Sequence, residues 1–296
     1  MPRSVTGRSG RRRRGGPILN RWAWLAFPTI ALLVVFFLAP LILMGLRSIT
    51  DPPNAGLANY QTFFLSEADV RVLGNTFYIA TISTVVCLVI GYPYAYLMNI
   101  ASPRMAGVLL IVVLVPFWSS LLVRTFAWEV LLRDTGVINS LLISWGLITQ
   151  PLALIRNTLG VILGMSQILL PFMVLPLYSV MRRIDPEYTR AAANLGASPA
   201  AAFRRVFLPL SLPGVAAGTL LVFVLALGFY ITPTILGSPR ETMISRFIAD
   251  QIQQRLDWGL GSAMAVILMI LTFVALTIAS RVVRLRDVFG SAEDGA

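Results

Sequence analysis

Long, uniformly apolar runs alternate with short polar connections along this chain. The runs show neither the two-residue alternation of a half-buried strand nor the single stripe of a surface helix. Crossing a hydrocarbon core of roughly 30 Å takes about 20 apolar residues as a helix. Six stretches meet that length: Trp22–Leu46, Asn75–Met98, Ala106–Ala127, Thr158–Met181, Leu212–Leu236 and Trp258–Ser280. Lipid offers backbone N–H and C=O groups no partner, so each run is predicted to be a helix that satisfies them internally. The expected fold is an all-α integral membrane protein with six spans. Residues 1–21 form a basic tail, 22–280 the membrane domain and 281–296 a second tail, whose closing "GSAEDGA" has the composition of a disordered end.

The connections divide into two kinds. Between the first and second spans, "TDPPNAG" carries turn chemistry. "GVINSLLISWGL", after the third span, is too short to cross and is expected to lie along the membrane surface as a helix. "ISRFIADQIQQRLDW", before the sixth, places its apolar residues at helical spacing. Between the fourth and fifth spans lies a polar segment of another type, "RRIDPEYTRAAANLGASPAAAFRRVFLPLSLPG". Asp185 there can cap a helix that has Pro186 at its first position and Glu187 in its first turn. Gly196 suits the left-handed residue that ends it. Ser198 and Pro199 repeat the start signal for a second helix, expected to run to about Phe207 and to stop at Pro209. An ordinary helical loop fits this periodicity as well as a docking element does.

Charge orients the spans. With both termini on one side, that side holds 16 of the 24 arginines but only 5 of the 13 acidic residues. The arginine-rich side is expected to be cytoplasmic, and the segment 185–209 falls on it. The basic run Arg11–Arg14 reads as a topology anchor on anionic lipid rather than a nucleic-acid site. The apolar run after it exceeds a signal-peptide core and lacks a small-x-small cleavage site, so it is expected to stay as a helix.

Composition excludes much chemistry. Histidine and lysine are both absent, which removes Ser-His-Asp and Cys-His hydrolysis, HExxH zinc sites, Schiff-base lysines and the phosphate-binding P-loop. Cys87 is the single cysteine and lies in an apolar run, so no intrachain disulfide forms. No catalytic or metal-binding residues are expected, and any ATP used must be bound by another chain. No charge lies near a span centre, which speaks against a proton-coupled carrier working alone. A membrane-embedded enzyme would need buried acid-base pairs or metal ligands that the spans do not supply.

The pattern Ala191-Ala192, Gly196, Val206 and Leu208-Pro209 resembles the cytoplasmic "EAA" signature of ABC importer permeases. There, EAA is followed by three residues, a glycine, nine residues, an aliphatic, any residue and Leu-Pro. The spacing fits throughout, but Arg190 stands at the glutamate position. Longer stretches narrow the resemblance to the spermidine/putrescine-type permeases: "GYPYAYLM" at 91–98, "PFWSSLLVRTFAWEVLLRDTGVIN" at 116–139, "LPFMVLPLYSVMRRIDPEYTRAAANLGAS" at 170–198 and "LPLSLPGVAAGTLLVFVLALGFYITPTILG" at 208–237.

The resemblance implies a multi-pass permease of the bacterial inner membrane. Its partners would be two ABC ATPase subunits that bind ATP and magnesium, a second and different permease chain, an extracytoplasmic solute-binding protein and membrane lipid. The cargo would be a polyamine, or another small solute such as an amino-acid derivative or an anion. Within the resemblance, Glu187, Arg190, Ala191, Ala192, Gly196, Leu208 and Pro209 form the ATPase-coupling segment, with Glu187 one turn before Arg190 on the same face. Arg204 and Arg205 serve either to steer the partner or to anchor on lipid. A cationic cargo would cross on aromatic faces and hydroxyls. The candidate path residues are Trp118, Ser119 and Ser120 in the third span, Ser166 and Gln167 in the fourth, and Tyr230 and Thr232 in the fifth. The outer acids Glu129, Asp134, Asp250 and Asp257 are candidates for contact with a basic ligand or the receptor.

Overall fold

A computed structural model of the chain describes residues 27–51 and 56–290, all in helices, turns and irregular connections. The basic tail, Arg11–Arg14, the start of the first span at Trp22 and the last six residues of the chain lie outside the described residues. The chain divides after Leu46 into two units. The first contains most of helix α1 (Phe27–Thr50), which is interrupted by a π turn at Val34–Leu38.

The second unit holds the other helices. They are α2 (Ala58–Leu65), α3 (Glu67–Ile100), α4 (Pro103–Leu114), α5 (Leu121–Leu132), α6 (Val137–Ser144), α7 (Thr158–Met181), α8 (Pro186–Asn194), α9 (Pro199–Leu227), α10 (Ile231–Leu236), α11 (Ile244–Gln253) and α12 (Trp258–Gly290). Among the described residues, five helices are long and apolar enough to cross a membrane, or six with the bent pair formed by α4 and α5–α6.

Helices α3, α7 and α9 pack on one another and make the centre of the unit. Apolar side chains gain nothing by leaving lipid for a neighbouring helix, so close approach must come from small residues. Met173 of α7 shows how: it sits between Gly91 of α3 and Gly218 of α9. A Cβ at Gly91 would lie 2.9 Å from Met173 Cγ, and one at Gly218 would lie 2.8 Å from Met173 Sδ and 3.1 Å from its carbonyl oxygen. Met98, Met165, Leu177 and Met181 are also fully enclosed along this seam. Helix α12 packs against α2, α9 and α11, while α10 packs against α5 and α7.

Two expected spans are broken. The predicted third span, Ala106–Ala127, ends in a 3-10 turn at Val115–Trp118, and the chain then turns by 99°. Pro116 has no N–H to donate, and Ser119 and Ser120 are extended, with Ser119 Oγ–H donating to Pro116 O at 2.8 Å. The predicted fifth span, Leu212–Leu236, is also not one helix. It begins earlier, at Pro199, and stops at Leu227, where Gly228 caps it and α10 restarts after Tyr230. The carbonyl freed at Phe229 accepts a hydrogen bond from Ser245 Oγ–H at 2.5 Å, so the break leaves no orphan there.

Pro209 does not stop its helix, contrary to expectation. Just before it, residues Phe203–Phe207 widen into a π turn in which Leu208 N–H bonds Phe203 O. The proline is thus placed where the ladder is already displaced by one residue, and the chain runs on into the apolar span. The second span begins at Glu67, earlier than Asn75, behind a Ser66 cap that accepts from Asp69 N–H. The fourth agrees with Thr158–Met181. The helices read from "GVINSLLISWGL" and "ISRFIADQIQQRLDW" form as α6 and α11.

Candidate functional site

The segment joining α7 to α9 is shaped by its own caps. Asp185 accepts from Glu187 N–H at 2.9 Å and opens α8, with Pro186 at the first helical position. At the other end Ala197 N–H bonds Ala192 O and Gly196 N–H bonds Ala193 O, a Schellman closure that needs the positive φ of 87° found at Gly196. Ser198 Oγ then accepts from Ala201 N–H and opens α9, again with proline next. Each of these bonds is local in sequence.

Among the described residues, most of this segment is left uncovered. No residue of α8 is buried, and a Cβ added at Gly196 would meet nothing within 4 Å. Two large apolar side chains point away from the protein, Tyr188 at 58% exposure and Leu195 at 89%. Ala191 is exposed and Ala192 half-buried. Glu187 and Arg190 pair with each other at 2.6 Å on a fully solvated face, each side chain 70% exposed. An exposed pair of this kind is worth about 0–1 kcal/mol. Leu208 and Pro209 lie beyond the π turn, at the entry to the span.

The junction with the membrane is aromatic. Tyr96 of α3 meets Phe203 at 5.2 Å and Phe207 at 5.1 Å between ring centroids, both edge to face, and Tyr92 meets Phe203 at 6.3 Å. Phe203 and Phe207 stack at 5.8 Å. Ser211 Oγ–H donates to Leu208 O at 2.9 Å, which leaves its oxygen to accept from Tyr92 O–H at 2.8 Å. Sequence reading passed over this cluster. The available signal was two aromatic pairs at four-residue spacing, Tyr92/Tyr96 and Phe203/Phe207, on helices with no other evident reason to meet.

The candidate path residues separate into two groups. Trp118, at 79% exposure, Ser119, Ser120 and Tyr230, at 40%, all sit at the two breaks and face outwards. Thr232 and Ser166 are enclosed within the unit. Thr232 Oγ1 lies 3.3 Å from Thr125 Oγ1 and ties the helix after one break to the helix after the other. Ser166 Oγ has no hydrogen-bond partner among the described residues. Gln167 is half-buried, and its Oε1 accepts from Trp128 Nε1–H at 3.4 Å. Close to the first break, Arg124 has its Nε and Nη1 enclosed without a hydrogen-bond partner among the described residues.

The opposite end of the unit is held by long-range bonds. Asn75 Nδ2 donates to the carbonyls of Arg240 and Thr242 at 3.0 and 3.2 Å, and Thr76 Oγ1 accepts from Ile244 N–H at 2.8 Å. The buried Glu241 carboxylate accepts from Ser238 N–H at 2.9 Å, Ser238 Oγ–H at 2.5 Å and Thr158 Oγ1–H at 3.1 Å. Burial alone would raise the Glu241 carboxyl, but these donors outweigh it and hold the group below the ordinary carboxylate value. Three of the acids considered for ligand contact are occupied within the chain. Glu129 pairs with Arg133 at 2.6 Å, Asp250 pairs with Arg246 at 3.6 Å, and Asp257 caps α12 by accepting from Leu260 N–H.

The family described as binding-protein-dependent transport system inner membrane component matches residues 22–286. The spermidine/putrescine transport system permease protein PotB of Haemophilus influenzae is 34% identical over 254 residues, covering 84% of this chain and 87% of its own. A solved bacterial ABC transporter that imports the acidic polysaccharide alginate contains a chain with the same fold. Its TM-score is 0.73 at 21% identity, covering 89% of this chain and 95% of that one. A second structure, an alginate transporter bound to its pentasaccharide-loaded periplasmic protein, gives 0.72 at 20% identity, covering 87% and 91%.

Proposed function

The chain belongs to the binding-protein-dependent transport system inner membrane components, and on that premise we propose how it works as the permease subunit of an ATP-driven importer. Both termini and residues 182–199 face the cytoplasm. An ATPase subunit docks on α8, and closure of the ATPase pair pulls the segments of two permease chains together. Rigid-body movement of the spans then switches access from outside to inside. ATP and magnesium belong to the partner ATPases, and a second, different permease chain completes the passage. A solute-binding protein delivers the cargo to the outer face, a reading supported by the alginate transporter solved in complex with its pentasaccharide-bound periplasmic protein.

The observation that carries this reading is the uncovered segment itself. A water-facing helix that is capped at both ends, yet leaves Tyr188 and Leu195 largely exposed, is preformed for a partner. Arg190 and Glu187 present a neutralised pair where the family signature has a glutamate, so docking rests on shape and apolar contact more than on charge. Trp118, Ser119, Ser120 and Tyr230 line the passage where the spans break, with Thr232, Ser166 and Gln167 supporting them from within. Unwound backbone at such breaks is how transporters expose polar groups at membrane depth.

The cargo is a polyamine by likeness to the PotB relative. An ammonium gains about 0.5–2 kcal/mol from an aromatic face, enough to guide it without trapping it. A second reading has a specific observation behind it: the enclosed Arg124 nitrogens beside the first break would suit an anionic cargo.

Purification of the tagged chain in mild detergent, with Gly196→Asp as the paired control, tests the reading. Aspartate enters a left-handed backbone at less cost than most residues and a Cβ here meets nothing within 4 Å, so the strain of the variant is confined to the end of α8. Co-purified ATP hydrolysis that is lost in the variant is the expected result; no associated ATPase with the parent chain overturns it. Uptake of labelled spermidine by proteoliposomes, against a labelled acidic sugar, decides the cargo.

A further inference from the structure

The stretch Phe203–Pro213 ought to be the weakest part of α9. Its π turn shifts the hydrogen-bond ladder, and neither Pro209 nor Pro213 has an N–H to contribute. A force applied to α8 would then be spent in bending here rather than reach the span. Yet within the weak stretch the chain is held on both sides of Pro209 by one neighbouring helix. On the segment side Tyr96 and Tyr92 grip the rings of Phe203 and Phe207; on the span side Tyr92 holds Ser211, two residues past Pro209.

We propose that Tyr92 and Tyr96 of α3 splint the hinge in α9, so that a displacement of the exposed segment moves α3 and α9 as one body. Tyr92, Tyr96, Phe203 and Phe207 are therefore positioning residues for coupling, acting on the passage through the helices they join. This rests on the reading of α8 as the ATPase contact. Helix α3 also makes the close Gly91 contact with Met173 of α7, so the splint hands motion on to the centre of the unit. The Phe77–Phe223 pair joins the same two helices at 6.1 Å but away from the hinge, and supplies a matched control.

The test uses the assembled complex in proteoliposomes. Cys87 is replaced by serine, and Ser120→Cys, at the exposed break, becomes the only thiol of this chain, on which labelling is followed. Its maleimide labelling rate is measured without nucleotide and after trapping with ATP and vanadate, beside the rate of ATP hydrolysis. In the parent, trapping is expected to change labelling several-fold. Tyr96→Leu and Phe203→Leu should keep ATPase association and hydrolysis but lose most of that change, whereas Phe223→Leu should keep it. Tyr92→Phe, which removes only the hydroxyl that crosses the hinge, should lose part of the change and stands in if a larger substitution fails to assemble. A full labelling response in the Tyr and Phe203 variants, or an equal loss in Phe223→Leu, overturns the splint. A parent complex without ATPase, or without any response, overturns the underlying reading of α8 instead.

Discussion

The two ends of the helical unit are built on opposite plans. At one end α8 takes its shape from bonds that reach no further than five residues along the chain, and it leaves apolar side chains in the open. At the other end, residues separated by more than 160 positions are bonded together: Asn75 to Arg240 and Thr242, and Thr76 to Ile244. Arg47 stacks over Trp258 at 4.6 Å on that side, and left-handed Arg156 is fixed by its N–H bond to Leu236 O. An end tied by bonds between distant residues has its geometry fixed by the fold, whereas an end shaped by local bonds and left exposed keeps apolar surface that contact with a partner would bury.

Substitutions that strike one end and spare the other test this contrast, and the largest effect belongs to the sealed end. Glu241→Ala strands the donors of Ser238 and Thr158 inside the protein, and should destabilise the unit by about 2–3 kcal/mol, seen as a lower thermal unfolding midpoint in detergent. Because the folded Glu241 carboxyl titrates below its unfolded value, its stabilisation is complete above about pH 4.3 and disappears as the pH falls through the folded value. Acid titration of the unfolding midpoint should show this loss in the parent and not in Glu241→Gln.

At the open end Gly196→Val forces a branched side chain into left-handed backbone and should cost about 1–2 kcal/mol, read as faster amide exchange over residues 186–198 with the global midpoint retained. Asp185→Ala removes one cap and should loosen the first turn of α8 by about 1 kcal/mol, visible in the exchange of Glu187 N–H. The smallest effect is Arg190→Ala, which should shift stability by less than about 0.5 kcal/mol. If any of these open-end variants lowered the global midpoint as far as Glu241→Ala, the contrast between the ends would collapse.

The weak hydrophobic logic of the middle explains which parts of the sequence were readable. Thr158–Met181 is apolar over most of its length and its two prolines do not end it, so length and hydropathy place it correctly. The same criteria fail at "PFWSSLL" and "ALGFYITP", because an apolar run carries no record of whether its backbone is continuous. The breaks depend on Ser119 reaching back to Pro116 O and on Ser245, far along the chain, taking the Phe229 carbonyl. Pro209 misled for the complementary reason: a breaker inside a helix is tolerated when the preceding turn opens into a π turn, and that turn is braced by Tyr96 from another helix.

By itself the sequence determined the membrane class, the caps of α8 and α9, the helices α6 and α11, and the family, because each is written in residues close together along the chain. Side-chain oxygens bond nearby N–H groups, a glycine admits one left-handed residue, and apolar length answers to bilayer thickness. Only the tertiary structure decided where two spans break, that α9 passes unbroken through Pro209, that Met173 is enclosed by two glycines, and that Tyr92 and Tyr96 brace the weak stretch. Those features join groups brought together by folding alone, and in an apolar chain many such pairings look equally permissible until the helices are packed.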